Sequence, residues 1–139
     1  MRVLVDTSLW SLALRRNTAS ALSDLQAQQV ADLGELIRDG RATMAGAIRQ
    51  ELLCGIKSAK QFDQLRTALR AFDDVPVVGA DYERAADFFN SCRAAGVQGS
   101  NTDFLICALA HAHKMPIATC DGDFVHYARH LPITLHQAL

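Results

Sequence analysis

Short apolar runs separated by longer helical stretches constrain the fold of this chain more than any other feature. Five runs have the length and composition of buried strands. They are VLV (3–5), ATMA (42–45), VPVV (75–78), PIAT (116–119) and the segment around 132–135. Because parallel strands need a crossover connection, strands that alternate with helices indicate an α/β fold with a mainly parallel sheet.

The segments between these runs have helical periodicity and recognisable helix ends. Helices are expected over 8–14, about 20–38, about 46–54, roughly 59–72, 80–95, about 100–113 and 123–129. Gly55 and Gly96 stop two of these helices, and Ser100 or Asn101 can cap the one that follows. No repeat or linker divides the chain, so residues 1–139 are expected to form a single domain.

Composition limits the classes of function that this chain can have. Half of the residues are hydrophobic, 21% are charged and the formal net charge is −1. This balance excludes a strongly basic chain that binds nucleic acid through charge alone. No apolar run approaches the ~20 residues that span a bilayer. The four cysteines lack CxxC spacing, so we expect a cytoplasmic protein with reduced thiols and no membrane segment.

Two acidic residues directly follow predicted strands. Asp6 follows VLV, and Asp121 follows PIATC. In an open parallel sheet, the carboxyl ends of the strands line the crevice in which ligands bind, so these two carboxylates could converge. Taken alone, Asp6 could instead begin a turn or cap the next helix, and Asp121 and Asp123 could belong to an acidic turn.

Two more acidic residues, Glu51 and Asp103, share helix faces with apolar side chains. An ionised carboxylate on such a face is costly unless it is paired or holds a metal. Taken singly, Glu51 could be partly exposed, and Asp103 could gain only from the helix dipole. Most other acids, Asp81 among them, are expected on solvated helix faces. Lys and Arg are scarce beside Asp6, Glu51, Asp103 and Asp121, hereafter the four acids, so a metal is the expected counter-charge.

The chemistry of such a cluster follows from its ligand atoms. Carboxylates without His or Cys ligands suit hard cations, so the four acids indicate Mg²⁺ or Mn²⁺ rather than zinc. Such a site would bind phosphate oxygens and lower the pKa of a bound water. Neighbouring hydroxyl and amide side chains would orient the acids through hydrogen bonds. They are Thr7, Ser8, Asn101, Thr102 and Thr119.

The motifs VDTSLW, QELLCG, SNTDFLICALA and ATCDGDF, in this order, resemble those of PIN-domain ribonucleases. The match is closest to the toxin subunits of VapBC-type toxin–antitoxin pairs, and it covers essentially the whole chain. The resemblance implies an α/β/α sandwich with a mainly parallel central sheet of four or five strands flanked by helices. It also implies Mg²⁺- or Mn²⁺-dependent endonucleolytic cleavage of structured RNA, such as tRNA or rRNA, and inhibition of translation.

By position, the resemblance makes the four acids catalytic and metal-binding and adds Asp123 as a further metal-binding acid. Either Asp121 or Asp123 can be the direct metal ligand; Asp121 is favoured, with Asp123 in support. It further implies a homodimer and a VapB-like antitoxin whose C-terminal segment covers the acidic site, with an Arg directed at the carboxylates. The helical region 8–38 is the expected place for antitoxin or dimer contacts. The alternative is a non-catalytic PIN-like module that binds RNA in an RNA-processing or ribosome-associated assembly.

Overall fold

A parallel three-stranded sheet lies at the centre of the computed structural model, which describes residues 1–14 and 22–137. The strands are β1 (Val3–Val5), β2 (Ala42–Thr43) and β3 (Ile117–Ala118). Leu4 pairs with Thr43 on one side and with Ile117 on the other, so the order is β2-β1-β3. All of β1 is buried, which explains its uninterrupted apolar sequence. The predicted α/β fold with a parallel sheet is confirmed.

Two isolated parallel bridges extend the sheet at its edges. Met44 pairs with Asp74, and Ile117 pairs with Leu135. The strands predicted over 75–78 and 132–135 are therefore reduced to single bridges, and the described residues contain three regular strands rather than four or five. Val75 donates its N–H to the Met44 carbonyl, but a helix begins at Gly46, so the neighbouring chain offers no further strand backbone with which residues after Val75 could pair.

Seven helices surround the sheet within the described ranges. They are α1 (Thr7–Leu14), α2 (Asp24–Arg38), α3 (Gly46–Leu53), α4 (Ala59–Leu69), α5 (Gly79–Ala94), α6 (Asn101–Ala112) and α7 (Asp123–Ala128). Each agrees with a predicted helix, and the predicted start of α2 before Leu22 lies outside the described residues. Ser23, Ser58 and Ser100 each accept a backbone N–H bond at a helix N-terminus, as good capping residues do.

The helix α6 has the longest buried run of the helices described. Every residue from Phe104 to Ala110 is buried, which is the pattern of a helix covered on all sides. Trp10 of α1 is also fully buried, and its ring meets Phe72 edge-on with centroids 4.8 Å apart. The cysteines are free, as predicted. No helix in the two described ranges is long and apolar enough to cross a membrane.

One acid on a helix surface contradicts the sequence analysis. Asp81, expected on a solvated face, is only 6% exposed. Its Oδ2 accepts the N–H of Val78 at 3.0 Å, so the side chain turns back over the first turn of α5. Burial is tolerated there because the carboxylate takes up a backbone donor that the helix start leaves free.

Candidate active site

Asp6 lies at the junction between β1 and α1 and is 3% exposed. Its backbone N–H donates to the Ala118 carbonyl at 2.9 Å and so extends the contact with β3. Its Oδ1 accepts the N–H of Leu9 at 3.3 Å, which makes Asp6 the N-cap of α1. The structure therefore shows the helix cap that the sequence allowed as an alternative, and the strand and the helix together fix where this carboxylate lies.

Two hydroxyl groups hold the Asp6 carboxylate. Ser8 Oγ donates to Oδ1 at 2.7 Å, and Thr119 Oγ1 donates to Oδ2 at 2.9 Å. Thr119 Oγ1 in turn accepts the N–H of Asp121 at 2.9 Å, so the network joins the ends of β1 and β3. With the Leu9 amide, three donors occupy the roughly four lone-pair positions of a carboxylate. Room for one further ligand remains.

No cationic side chain among the described residues compensates the Asp6 carboxylate. Its pKa is raised to about 6: burial raises it most, hydrogen bonds from Ser8, Thr119 and Leu9 partly offset this, and the negative charge of Asp121 raises it further. The ion pairs between described residues are Arg49–Asp74, Arg66–Asp63 and His136–Asp32. None of them includes one of the four acids, so the charge of Asp6 has no cationic partner in the described part of the chain.

Asp103 occupies the first turn of α6. Its backbone N–H donates to Ser100 Oγ at 3.1 Å, and its Oδ2 accepts the hydroxyl of Tyr127 at 2.8 Å. Burial raises the pKa of Asp103, the Tyr127 hydrogen bond lowers it, and the charges of Asp121 and Glu51 raise it. Asp103 therefore lies within electrostatic reach of both of these other acids.

Glu51 joins the site from α3. Thr7 Oγ1 donates to Glu51 Oε1, which links the first residue of α1 to a helix 44 positions further along the chain. Thr7, Ser8 and Thr119, three of the predicted orienting residues, thus each contact an acid.

The segment after β3 carries Asp121 and Asp123, of which Asp123 is the more exposed. Asp121 raises the pKa of both Asp6 and Asp103, so its carboxylate lies near both. Asp123 begins α7 and donates its backbone N–H to Asp121 Oδ1 at 2.9 Å. The geometry makes Asp121 the more central of the two acids.

The structure places two predicted orienting residues elsewhere. Asn101 and Thr102 line a separate cavity between α5 and α6, and within the described residues neither donates to the four acids. Ser100 occupies the helix cap instead. Sequence reasoning also missed Tyr127, whose only signal was a hydroxyl-bearing aromatic residue on the short helix after the last acidic motif.

The donor set can be tested for its fit to a divalent cation. No three His, Cys, Asp or Glu side chains among the residues of known placement lie close enough to enclose one ion. Mg²⁺, however, usually keeps several waters and binds through only one or two carboxylates. The open position on Asp6, the neighbouring carboxylate of Asp121 and the absence of a described cationic partner fit that mode of binding.

Solved structures with a similar fold agree with this architecture, although no curated protein matches the sequence. The fold is similar to that of FitAcB from Neisseria gonorrhoeae, with 20% identity, a TM-score of 0.73, and coverage of 97% of this chain and 96% of that chain. It is similar to VapBC2 from Rickettsia felis, bound to a DNA fragment from their promoter, with 15% identity, a TM-score of 0.69 and 100% coverage of both chains.

A third solved structure, FitAB bound to an IR36 DNA fragment, has 20% identity, a TM-score of 0.71, and coverage of 99% of this chain and 98% of that chain. These three similarities concern the fold. The model of the PIN domain family matches residues 3–130, which is nearly the whole sequence, and the chain therefore belongs to the PIN domain family.

Proposed function

We propose that this chain is a Mg²⁺- or Mn²⁺-dependent endoribonuclease and the toxin of a VapBC-type toxin–antitoxin pair. PIN domains are generally nucleases. The observation that carries the proposal is the buried carboxylate of Asp6, which faces Asp121 and lacks a cationic partner among the described residues. A site of this kind gains from a divalent cation, because the cation neutralises charge that the described side chains leave uncompensated.

In this proposal, Asp6 and Asp121 hold the cation, and Asp103 and Glu51 complete the acidic site. When bound, the cation supplies a water of lowered pKa and stabilises negative charge on a phosphodiester group. The protein supplies orientation: Ser8 and Thr119 fix Asp6 through their hydroxyl groups. Such hydrogen bonds typically raise metal affinity or activity by ~10–100-fold.

Two further residues refine the arrangement. Thr7 holds Glu51 through its hydroxyl, so α1 and α3 keep a fixed separation at the site. Asp123 supports Asp121 by donating its backbone N–H, which leaves Asp121 as the direct ligand in our proposal. Asn101, which faces the separate cavity, has no direct role in it.

The substrate and the partners follow from the family resemblance. We propose structured RNA, probed first as tRNA or rRNA, as the substrate, with inhibition of translation in the cytoplasm as the outcome. We propose a VapB-like antitoxin that covers the acidic site, and a homodimer. The likeness of this fold to VapBC2 and FitAB structures supports an antitoxin partner.

Nuclease assays with purified protein test the catalytic part of the proposal. We expect the wild type to cleave structured RNA with Mg²⁺ or Mn²⁺ and to lose this activity in EDTA. Asp6→Asn and Asp103→Asn should each abolish cleavage, because each removes a charge from the site. Asp87→Asn, which changes an exposed acid on α5, is the matched control and should cleave as the wild type does.

A non-catalytic RNA-binding module predicts different results. It would bind RNA with and without divalent cations, and no RNA would be cleaved under any condition. Inactivity of the wild type on tRNA and rRNA, with RNA binding retained in Asp6→Asn, would therefore overturn the nuclease proposal.

Expression in bacteria tests the toxin part of the proposal. Induction of the wild-type chain alone should slow growth, and induction of Asp6→Asn at equal soluble level should not. Normal growth at demonstrated soluble expression of the wild type would contradict a toxin. A short reading frame beside this one that encodes a DNA-binding protein, and that restores growth when co-expressed, would identify the antitoxin.

A further inference from the structure

Tyr127 is a fully buried tyrosine whose hydroxyl reaches the candidate active site. It lies on α7, donates to Asp103 Oδ2 at 2.8 Å and is 0% exposed. The donor and acceptor are 24 positions apart in sequence, so the bond joins α7 to the first turn of α6. A buried tyrosine hydroxyl needs a partner, and here the partner is one of the four acids.

Aromatic packing fixes the ring that carries this hydroxyl. The Tyr127 ring lies against Phe104 and Phe124, with centroid separations of 4.9 Å and 5.2 Å. Phe104 is the residue after Asp103, so the same short segment provides both the packing surface and the carboxylate. The hydroxyl therefore approaches Asp103 from a direction that the core determines.

Gly99 leaves the space that the tyrosine occupies. A Cβ atom at this position would lie 2.7 Å from Tyr127 Cζ and 2.9 Å from Phe104 Cε2. Both distances are well below ordinary contact, so any other residue at 99 would displace the ring or the backbone. Gly99 directly precedes Ser100, whose hydroxyl caps the backbone of Asp103, so both contacts to Asp103 depend on this segment.

We propose that Tyr127 is a positioning residue of the candidate active site: in space that Gly99 provides, it fixes the direction of the Asp103 carboxylate beside the divalent cation that Asp6 and Asp121 hold. The inference rests on the proposed function. The terminal torsion of an aspartate is broad, so without the hydroxyl the Asp103 carboxylate can rotate. With the hydroxyl in place, Tyr127 holds Oδ2 of Asp103, so Oδ1 of the same carboxylate has a fixed direction.

Titration of the full-length, metal-free protein with Mn²⁺ tests the inference, with binding followed by calorimetry. Tyr127→Phe removes only the hydroxyl and keeps the ring. We expect it to weaken Mn²⁺ binding about 10-fold, at the lower end of the range for hydrogen-bond partners around a metal site. Tyr82→Phe is the matched control, because Tyr82 is exposed on α5 and should bind Mn²⁺ as the wild type does.

The outcomes separate this inference from the proposed function. If the wild type binds Mn²⁺ and Tyr127→Phe binds it equally well, Tyr127 serves packing alone and the inference is wrong. If the wild type binds no Mn²⁺, the proposed function and the inference both fail. A folded Tyr127→Phe protein, judged by its near-UV circular dichroism, with weakened Mn²⁺ binding and an unaffected Tyr82→Phe control supports the inference. Should Tyr127→Phe not fold, the titration of all three proteins is repeated in sucrose, which favours the folded state, and the same 10-fold difference is expected.

Discussion

Two aspartates near the carboxyl ends of the strands, Asp6 and Asp74, have opposite electrostatic surroundings. Asp74, which pairs with Met44 at the sheet edge, accepts bonds from Arg49 Nε at 3.1 Å and from Arg49 Nη2 at 2.8 Å. Asp6 accepts bonds only from hydroxyl groups and one amide among the described residues. Asp74 is also the more exposed of the two, with 38% of its side chain accessible.

The contrast between these two aspartates shows that a protein side chain, Arg49, neutralises Asp74. Arg49 also donates to the carbonyls of Leu69 and Phe72, so its guanidinium joins α3 to the end of α4 and the segment that follows it. The Arg49–Asp74 pair is therefore a structural clamp. Asp6 is more buried and receives no such partner from the described residues, and in our proposal a divalent cation from solution balances it.

Exchanging either carboxylate for its amide is the strongest test of this contrast. In Asp6→Asn, the charge is lost at nearly constant size, and Mn²⁺ affinity should fall by more than the ~10–100-fold typical of residues that only orient a ligand. Asp74→Asn should leave Mn²⁺ affinity unchanged, because Arg49 already neutralises that carboxylate. Calorimetric titration at pH 7.5 measures both, and equal losses in the two variants would remove the distinction.

Acid should stabilise the metal-free protein through Asp6. Its pKa is raised from 3.8 to about 6 on folding, so between these values the folded state binds the proton more tightly than the unfolded state does. Stability from this group is therefore gained as the pH falls through 6 and is complete below 3.8, with an upper limit of about 3 kcal/mol.

Urea unfolding of the metal-free protein at several pH values measures this effect. The gain between pH 7.5 and pH 5 should shrink in Asp6→Asn, which cannot titrate, and should persist in Asp74→Asn as the control. Saturating Mn²⁺ should stabilise the wild type at pH 7.5, because it binds the folded state. Identical pH profiles for wild type and Asp6→Asn would show that Asp6 has an ordinary pKa.

Removing the Arg49–Asp74 ion pair should lower the stability of the protein without changing its affinity for Mn²⁺. Arg49→Met keeps the aliphatic length but leaves the carbonyls of Leu69 and Phe72 without their donors. We expect unfolding free energy to fall by about 1–3 kcal/mol, as for polar groups that lose a partner. Mn²⁺ affinity should stay within error of the wild type, and a loss of affinity would show that the clamp and the acidic site are coupled.

Asp63, a solvent-exposed carboxylate, should show a smaller effect on stability than Asp6 or Asp74. Asp63 and Arg66 form an exposed pair three positions apart on α4. Because solvent screens such pairs, Arg66→Ala should change unfolding free energy by no more than about 0.5 kcal/mol. A larger loss would point to the packing of Arg66 over the Phe62 ring, which Arg66→Met would partly restore.

The alternation of strands and helices can be predicted from the sequence, because short stretches of sequence determine it. The buried run VLV and the helix-stopping glycines are signals within a few residues of the features they produce. The strand predicted over 75–78 is reduced to a bridge because its neighbour turns into α3 at Gly46, two residues after the bridge at Met44. Asp81 was assigned wrongly because a helix-start carboxylate and a solvated carboxylate have the same sequence signature, and only the bond to Val78 distinguishes them.

The geometry of the site depends on pairings that no local pattern reveals. The position of Asp6 after a strand is readable, but the hydroxyl of Thr119 reaches it across 113 positions of sequence. The register of β1 against β3 decides which residue of the later strand meets Ser8. Tyr127 was missed for the same reason, since α7 reads as a short apolar helix until its contact with Asp103 is known. The metal-binding roles of the four acids stay predictions.

The buried position of Trp10 has a practical consequence. It is the single tryptophan of the chain, it packs edge-on against Phe72, and its backbone N–H bonds to the Asp6 carbonyl at 3.3 Å. One indole therefore dominates the intrinsic fluorescence, and it is attached to the turn that holds the candidate ligand. Because a buried indole emits at shorter wavelength than a solvated one, the red shift of this emission on unfolding follows the folding of the chain around Asp6 without a label.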